Sequence, residues 1–208
     1  MLEFLTGSGL AAAAGMNAYI PLLTIGLANR FFPDAMALPD GWAWLSNWWV
    51  IGIVAVLLVV EIIADKIPAV DSVNDVLQTL VRPTAGGLVF GSSSTASTVA
   101  VTDPAEFFAS NQWVPVVVGA VIALTVHVGK TAMRPAANVA TAGTAAPVVS
   151  TIEDVGAVGM SVLAIVAPVL VLVGLALLGL FAWSMFRGAK RRRNEDLRPA
   201  TERHADTA

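Results

Sequence analysis

The chain has no cysteine, which removes disulfides, iron–sulfur clusters, thiolate zinc sites and cysteine nucleophiles at once. It is also poor in charge. Only 13% of its 208 residues are charged, against roughly 25% in an ordinary soluble domain, too few to cover a water-exposed surface. Basic residues are not in excess: 12 stand against 15 acidic ones, for a net charge of -3, so no basic surface invites nucleic acid. The signatures H-E-x-x-H, the Walker loop and G-x-S-x-G are missing. The expectation is therefore a protein that is not an enzyme and carries no cofactor; a metal is neither indicated nor excluded.

What is there is apolar. Hydrophobic residues make up 56% of the chain and the mean hydropathy is +0.74. They fall in long uncharged runs, the pattern expected where lipid is the solvent. This predicts an all-α polytopic membrane protein with about four full transmembrane helices, near residues 4–29, 41–64, 107–129 and 155–186. The N-terminal stretch lacks the basic residues that precede a signal-peptide core and reads as a retained first helix. Trp42, Trp44, Trp48 and Trp49 follow two Pro-Asp turns and mark a membrane–water boundary.

Two uncharged segments, 83–102 and 135–152, consist largely of Gly, Ala, Ser, Thr and Pro. They are candidates either for re-entrant, cavity-lining backbone or for ordinary helices packed through small residues. Between Pro68 and Arg82, the residues Val70, Val73, Val76, Leu77, Leu80 and Val81 recur at helical spacing. That describes an amphipathic helix lying at the interface or closing a polar cavity. Residues 187–208 form a basic stretch, with Arg187, Lys190, Arg191, Arg192 and Arg193, and then a polar tail expected to be disordered. Basic residues beside a span are held inside, so the C-terminus is predicted cytoplasmic in the inner (plasma) membrane, and with four spans the N-terminus as well.

Thr79-Leu-Val-Arg82-Pro83 and Thr131-Ala-Met-Arg134-Pro135 share the pattern T-x-x-R-P, each leading into a small-residue segment. With four spans the copies fall on opposite faces, an inverted repeat of the kind that meets near the midplane in transporters.

Charged residues near the ends of spans are the candidates for function, because a charge deep in the bilayer costs roughly 2.5–3.5 kcal/mol and marks an ion or proton path when present. Glu61 and Asp65 share a helix face, as do Asp71 and Asp75, and Arg82 closes the series. These four carboxylates could ligate a hard cation or relay protons, whereas the plainer reading of Glu61 and Asp65 is that they sit in the headgroup layer paired with Lys66 and Arg82. Lys130 and Arg134 approach the end of the third span, and Glu153 and Asp154 open the fourth. The acids either cap that helix or are neutralised across a cavity by the two cations, which could also hold an anionic headgroup. His127 reads as a hydrogen-bonded, packed histidine. Asn17, within Gly15-Met-Asn-Ala-Tyr-Ile-Pro21, and Asn138 complete the candidate path; Pro21 frees a carbonyl, and Asn17 can satisfy polar groups across a helix interface.

The strings G-M-N-A-Y-I-P at 15–21, E-I-I-A-D-K-I-P-A-V-D at 61–71, and R-P-A-A-N-V-A-T-A-G-T-A-A-P at 134–147 with Glu153-Asp154 resemble a bacterial integral membrane family, domain of unknown function 4126, over roughly residues 5–185. The resemblance implies a small integral membrane protein and assigns no activity. The expectation is a transporter or channel-like protein for an ion or small polar solute. Alternatives are a protein that binds or moves an anionic lipid or polyprenyl phosphate through Arg82 and Arg134, and a non-catalytic partner subunit. Expected partners are the bilayer, an ion or anionic lipid, and a second copy of the chain.

Overall fold

The computed structural model describes residues 1–93, 111–140 and 145–196, and every regular element among them is helical. Seven α-helices occur in the order α1 Leu2–Met16, α2 Tyr19–Phe31, α3 Trp48–Ala64, α4 Pro68–Ser93, α5 Trp113–Ala140, α6 Ala145–Val166 and α7 Val171–Asp196. Short 3-10 turns cover Asp40–Ser46 and Pro168–Leu170.

α1 is the central element, and Thr6 through Ala18 are all buried. It is built of Gly, Ala and Ser because its neighbours touch its backbone. A Cβ on Gly9 would lie 2.8 Å from both Ala164 and Val171, and one on Gly15 would lie 2.5 Å from the Ala123 carbonyl. The α4–α5 contact is equally close. Gly86 and Gly119 face each other, each occupying the space a Cβ on the other would need.

Contacts fix the directions of the helices. Glu61 meets Arg82 and Asp65 meets Asn74, so α3 runs opposite to α4. Gly26 lies against Ile51 and Phe31 packs edge-on against Trp48, so α2 runs opposite to α3. Phe4 and Gly7 pack on Phe90 whereas the Gly15 carbonyl reaches Arg82, so α1 also runs opposite to α4. It follows that α1 and α2 run in opposite directions, forming a helical hairpin whose two outer ends share the tryptophan-bearing end of the bundle.

This corrects the reading of 4–29 as one span. The break is a single residue, Asn17, at φ -144° and ψ 121°, with Ala18 already helical. Asn17 Oδ1 accepts from the backbone N–H of Tyr19 and Ile20, capping the start of α2. Pro21 sits in the first turn of α2, where its missing N–H removes no helical bond.

The uncharged run 155–186 is also folded back. Ala167 leaves helical space ahead of Pro168, as the ring of a following proline favours. Val171 then lies beside Gly9 and Gly174 beside Met160, so α7 returns antiparallel to α6. The basic stretch is not a loose tail up to Asp196, because α7 continues to that residue; 197–208 lie outside the described residues. Since α7 heads away from the tryptophan end, Met1 and the end of α7 are directed to opposite ends of the bundle, against the expectation of both termini on one side.

The small-residue segments are not separate elements where they are described. Residues 83–93 continue α4 through Pro83; 135–140 continue α5, and 145–152 begin α6. Positions 94–102 and 141–144, and the start of the expected third span at 107–110, lie outside the described residues.

Polarity is distributed inside out. Along α4, Val73, Val76, Leu77 and Leu80 are exposed, while Gln78 and Arg82 of the same helix are buried. On α3, Ile53, Val56, Val59, Val60 and Ile63 face outward and Glu61 inward. In a water-soluble fold the preference is the reverse, so the apolar helices suggest a membrane protein. Two helices, Trp113–Ala132 and Pro147–Val166, are long and apolar enough to cross a bilayer; a third qualifies if Asp40–Ser46 and Trp48–Ala64, bent by 56°, form one span.

Candidate functional site

The tip of the α1–α2 hairpin lies in a buried cluster of charges. Breaking the helix at Asn17 leaves the last carbonyls of α1 without intrahelical partners and concentrates the negative end of its dipole there. Two cations meet it. Arg82 Nη1 reaches the Gly15 carbonyl at 3.4 Å and Lys130 Nζ donates to the Met16 carbonyl at 3.2 Å.

Each cation is held by a carboxylate from a different helix. Arg82 Nη2 donates to Glu61 Oε1 at 2.9 Å, with Asp65 Oδ2 at 3.9 Å on the same nitrogen. Lys130 Nζ donates to Glu153 Oε2 at 2.9 Å. Arg82 is 0% exposed and Glu61 2%, so this pair is sealed, whereas the Lys130–Glu153 pair is slightly open at 7% and 13%. Asn17 Nδ2 donates to Asp154 Oδ1 at 2.9 Å, and Asn74 Nδ2 to Asp65 Oδ1 at 2.7 Å. Four carboxylates thus surround two cations, an excess of negative charge.

His127 joins the same network. An arginine only donates, so the 3.1 Å contact from Arg82 Nη1 makes His127 Nδ1 an acceptor. The ring proton is then on Nε2 and points to Thr79 Oγ1, also at 3.1 Å. The hydrogen-bonded histidine expected from the sequence is what is found.

The cluster lies toward the end of α3 and the middle of α4. Glu61 is 13 residues from the start of α3, about 20 Å at 1.5 Å per residue, and three residues from its end, about 4.5 Å. Arg82 is about 21 Å from Pro68 and about 16 Å from Ser93 along α4.

Among the expected residues, Asn17, Glu61, Asp65, Arg82, Lys130, Glu153 and Asp154 converge here. Asp75 lies on the side facing His127, and the Thr79 hydroxyl donates to its backbone carbonyl. The side chains of Asp71, Arg134 and Asn138 lie outside the described ones. Glu153 and Asp154 are not helix caps: they are mid-helix in α6, which starts at Ala145. Of the expected pairing of Glu61 and Asp65 with Lys66 and Arg82, the Arg82 half is found, with both acids buried against it, while Lys66 Nζ reaches Thr151 Oγ1 at 3.5 Å. Among the described residues, no group of three histidine, aspartate or glutamate side chains is placed to hold a metal ion.

The T-x-x-R-P copies do not lie at opposite ends. Thr79 and Arg82 both bond His127, one turn from Thr131, so the copies occupy neighbouring turns of antiparallel helices. Sequence reasoning missed Gln78, which is buried on the face of α4 that carries Arg82 and lies near the Tyr19 hydroxyl. Its position four residues before Arg82 was the available signal.

Among the described residues the protein is all-helical, its apolar helices suggest a membrane protein, and its polar groups are gathered around a helix break. The chain belongs to the family described as Domain of unknown function (DUF4126), which matches residues 4–187. No curated protein and no solved structure matches it.

Proposed function

We propose that the protein is a small membrane transporter or channel-like protein for an ion or small polar solute. The observation that carries this reading is the hairpin tip at Asn17, where a broken helix presents backbone carbonyls to Arg82 and Lys130, with four carboxylates around them, inside an apolar-sided bundle. Discontinuous helices whose ends face charged groups at mid-membrane are the recurring device for ion and solute sites. Ionisable residues at that depth otherwise only cost stability.

In this reading α3 to α7 all cross the bilayer of the inner (plasma) membrane, and α1–α2 is a re-entrant hairpin. The side assignment follows charge. At the tryptophan end the segment 32–47 carries Asp34 and Asp40 with no Lys or Arg, and Arg30 closes α2 beside it. Lys66 and the Arg187–Arg193 stretch belong to the other end, which is therefore cytoplasmic. Trp48 beneath the Arg30 guanidinium at 4.4 Å, and Trp183 beneath Arg187 at 4.7 Å, fit the two interfaces. The excess of carboxylates favours a cation over an anion. The lipid-phosphate reading has less support, since Arg82 is fully enclosed with Glu61 already on it.

Purified protein in liposomes should carry a cation flux that falls at least tenfold in Glu61→Gln at equal folded yield. Absence of flux across a panel of monovalent and divalent cations and protons would remove the reading and leave a partner subunit as the alternative.

A further inference from the structure

Glu61 is held by Arg82 through one oxygen only. Its Oε2 is buried with no partner, and so is Oε1 of Gln78. The Tyr19 hydroxyl lies within electrostatic reach of Glu61, Gln78 and Arg82. Buried acceptors without donors cost roughly 1–3 kcal/mol each, and each calls for an explanation. Both atoms are acceptors, and a proton on Glu61 Oε2 turns that atom into a donor.

Arg82 is placed to let Glu61 change charge. It already faces a second carboxylate, Asp65, at 3.9 Å, and its Nε is a buried donor without an acceptor. When Glu61 is neutralised, a displacement of about one ångström brings the guanidinium to hydrogen-bond distance from Asp65. The cation is then never left unpaired.

We propose that Glu61 is a reversible proton-binding site, with Gln78 Oε1 accepting from the protonated carboxyl and Arg82 exchanging Glu61 for Asp65. The step adds one proton, taken from water, to Glu61 Oε2 and releases it again; no other bond changes. The charged and titratable groups facing Glu61 are Asp65 on its own helix, Tyr19 from α2, Arg82 from α4, and Lys130 from α5; Glu153 and Asp154 of α6 stand behind Lys130 and Asn17. α1 contributes only the Gly15 and Met16 carbonyls and Asn17. The site deepens the transport reading by naming the proton as the coupling or carried ion, but proton binding does not depend on flux.

The test is infrared difference spectroscopy of the purified full chain in lipid nanodiscs, titrated between about pH 5 and 8, the range in which a physiological proton switch must act. Wild type should show a protonated-carboxyl C=O stretch that appears as the pH falls and is lost in Glu61→Gln, a variant that mimics the neutral acid and keeps Arg82 paired through Asp65. Gln78→Leu should move the frequency of that band, because the acid loses its hydrogen-bond acceptor. Identical pH-dependent carboxyl spectra in wild type and Glu61→Gln would overturn the proposal. So would an unmoved band in Gln78→Leu, which also decides the case where Glu61→Gln does not fold. A Glu61 band in a protein that carries no flux would leave the proton site standing and remove the transporter.

Discussion

Replacing Arg82 by methionine should cost far more than replacing Arg82 and Glu61 together. In the single variant, at a pH where Glu61 is ionised, its charge is left at 2% exposure with Asp65 beside it at 3% and nothing in the guanidinium's place. Removing one partner of a buried pair costs about 3–5 kcal/mol, which lowers the folded-to-unfolded ratio by a factor of about 10² to 4 × 10³ at 1.4 kcal/mol per decade. In Arg82→Met/Glu61→Met no charge is left unpaired at position 61. The remaining loss is the hydrogen bonds to His127 Nδ1 and the Gly15 carbonyl, about 1 kcal/mol apiece. Glu61→Met alone strands the cation less completely, because Asp65 remains near it. The double-mutant cycle should therefore give a coupling of at least about 2 kcal/mol. Unfolding in mixed detergent micelles, followed by helical circular dichroism for the four proteins, measures it. Additive losses, with a coupling below about 0.5 kcal/mol, would show that the Arg82–Glu61 contact does not organise the cluster.

Asn17→Ala should destabilise the fold by about 0.5–2 kcal/mol through loss of the α2 cap, with Asp154 also losing its amide donor; Asn17→Ser, which restores a capping oxygen, should recover part of this in the same unfolding assay. Gly86→Ala forces a Cβ to within 2.7 Å of the Gly119 carbonyl and should cost about 1–3 kcal/mol by overpacking. Gly52→Ala, where a Cβ meets nothing within 4 Å, should instead stabilise by about 0.5–1 kcal/mol; equal effects at the two glycines would contradict the α4–α5 packing.

The sequence carried the class and most of the site, and it failed on connectivity. Uncharged runs locate apolar helices because lipid exposure leaves a compositional record, and charges within them are rare enough to stand out, so Glu61, Asp65, Arg82, Lys130 and Glu153 were legible. A one-residue break leaves almost no such record. Asn17 lies inside an apolar run and redirects the chain through one extended residue, and Ala167-Pro168 does the same near the start of the last apolar stretch. Counting runs therefore merges antiparallel helices into single spans and misplaces the ends of the chain. The small-residue segments were ambiguous for a related reason. Glycines and alanines serve backbone contact equally in a re-entrant loop and in a close helix pair, and only the partner distinguishes them: Gly86 against Gly119 on α5. The α4 stripe of valines and leucines was visible as amphipathic, but which side faced the protein was not, because Val73 and Leu80 outward with Gln78 and Arg82 inward is the same pattern with solvent and core exchanged.

Site-directed labelling tests the central claim, that α1–α2 is a hairpin delivering a helix break to the charge cluster from one side of the membrane. The native chain has no cysteine, so single cysteines at Leu2, Phe32 and Lys66 can be probed with a membrane-impermeant maleimide in right-side-out and inverted vesicles. Leu2→Cys and Phe32→Cys should react from the same, extracytoplasmic face and Lys66→Cys from the cytoplasmic one. Labelling of positions 2 and 32 from opposite faces would mean that residues 2–31 cross the membrane, and the hairpin account would be wrong.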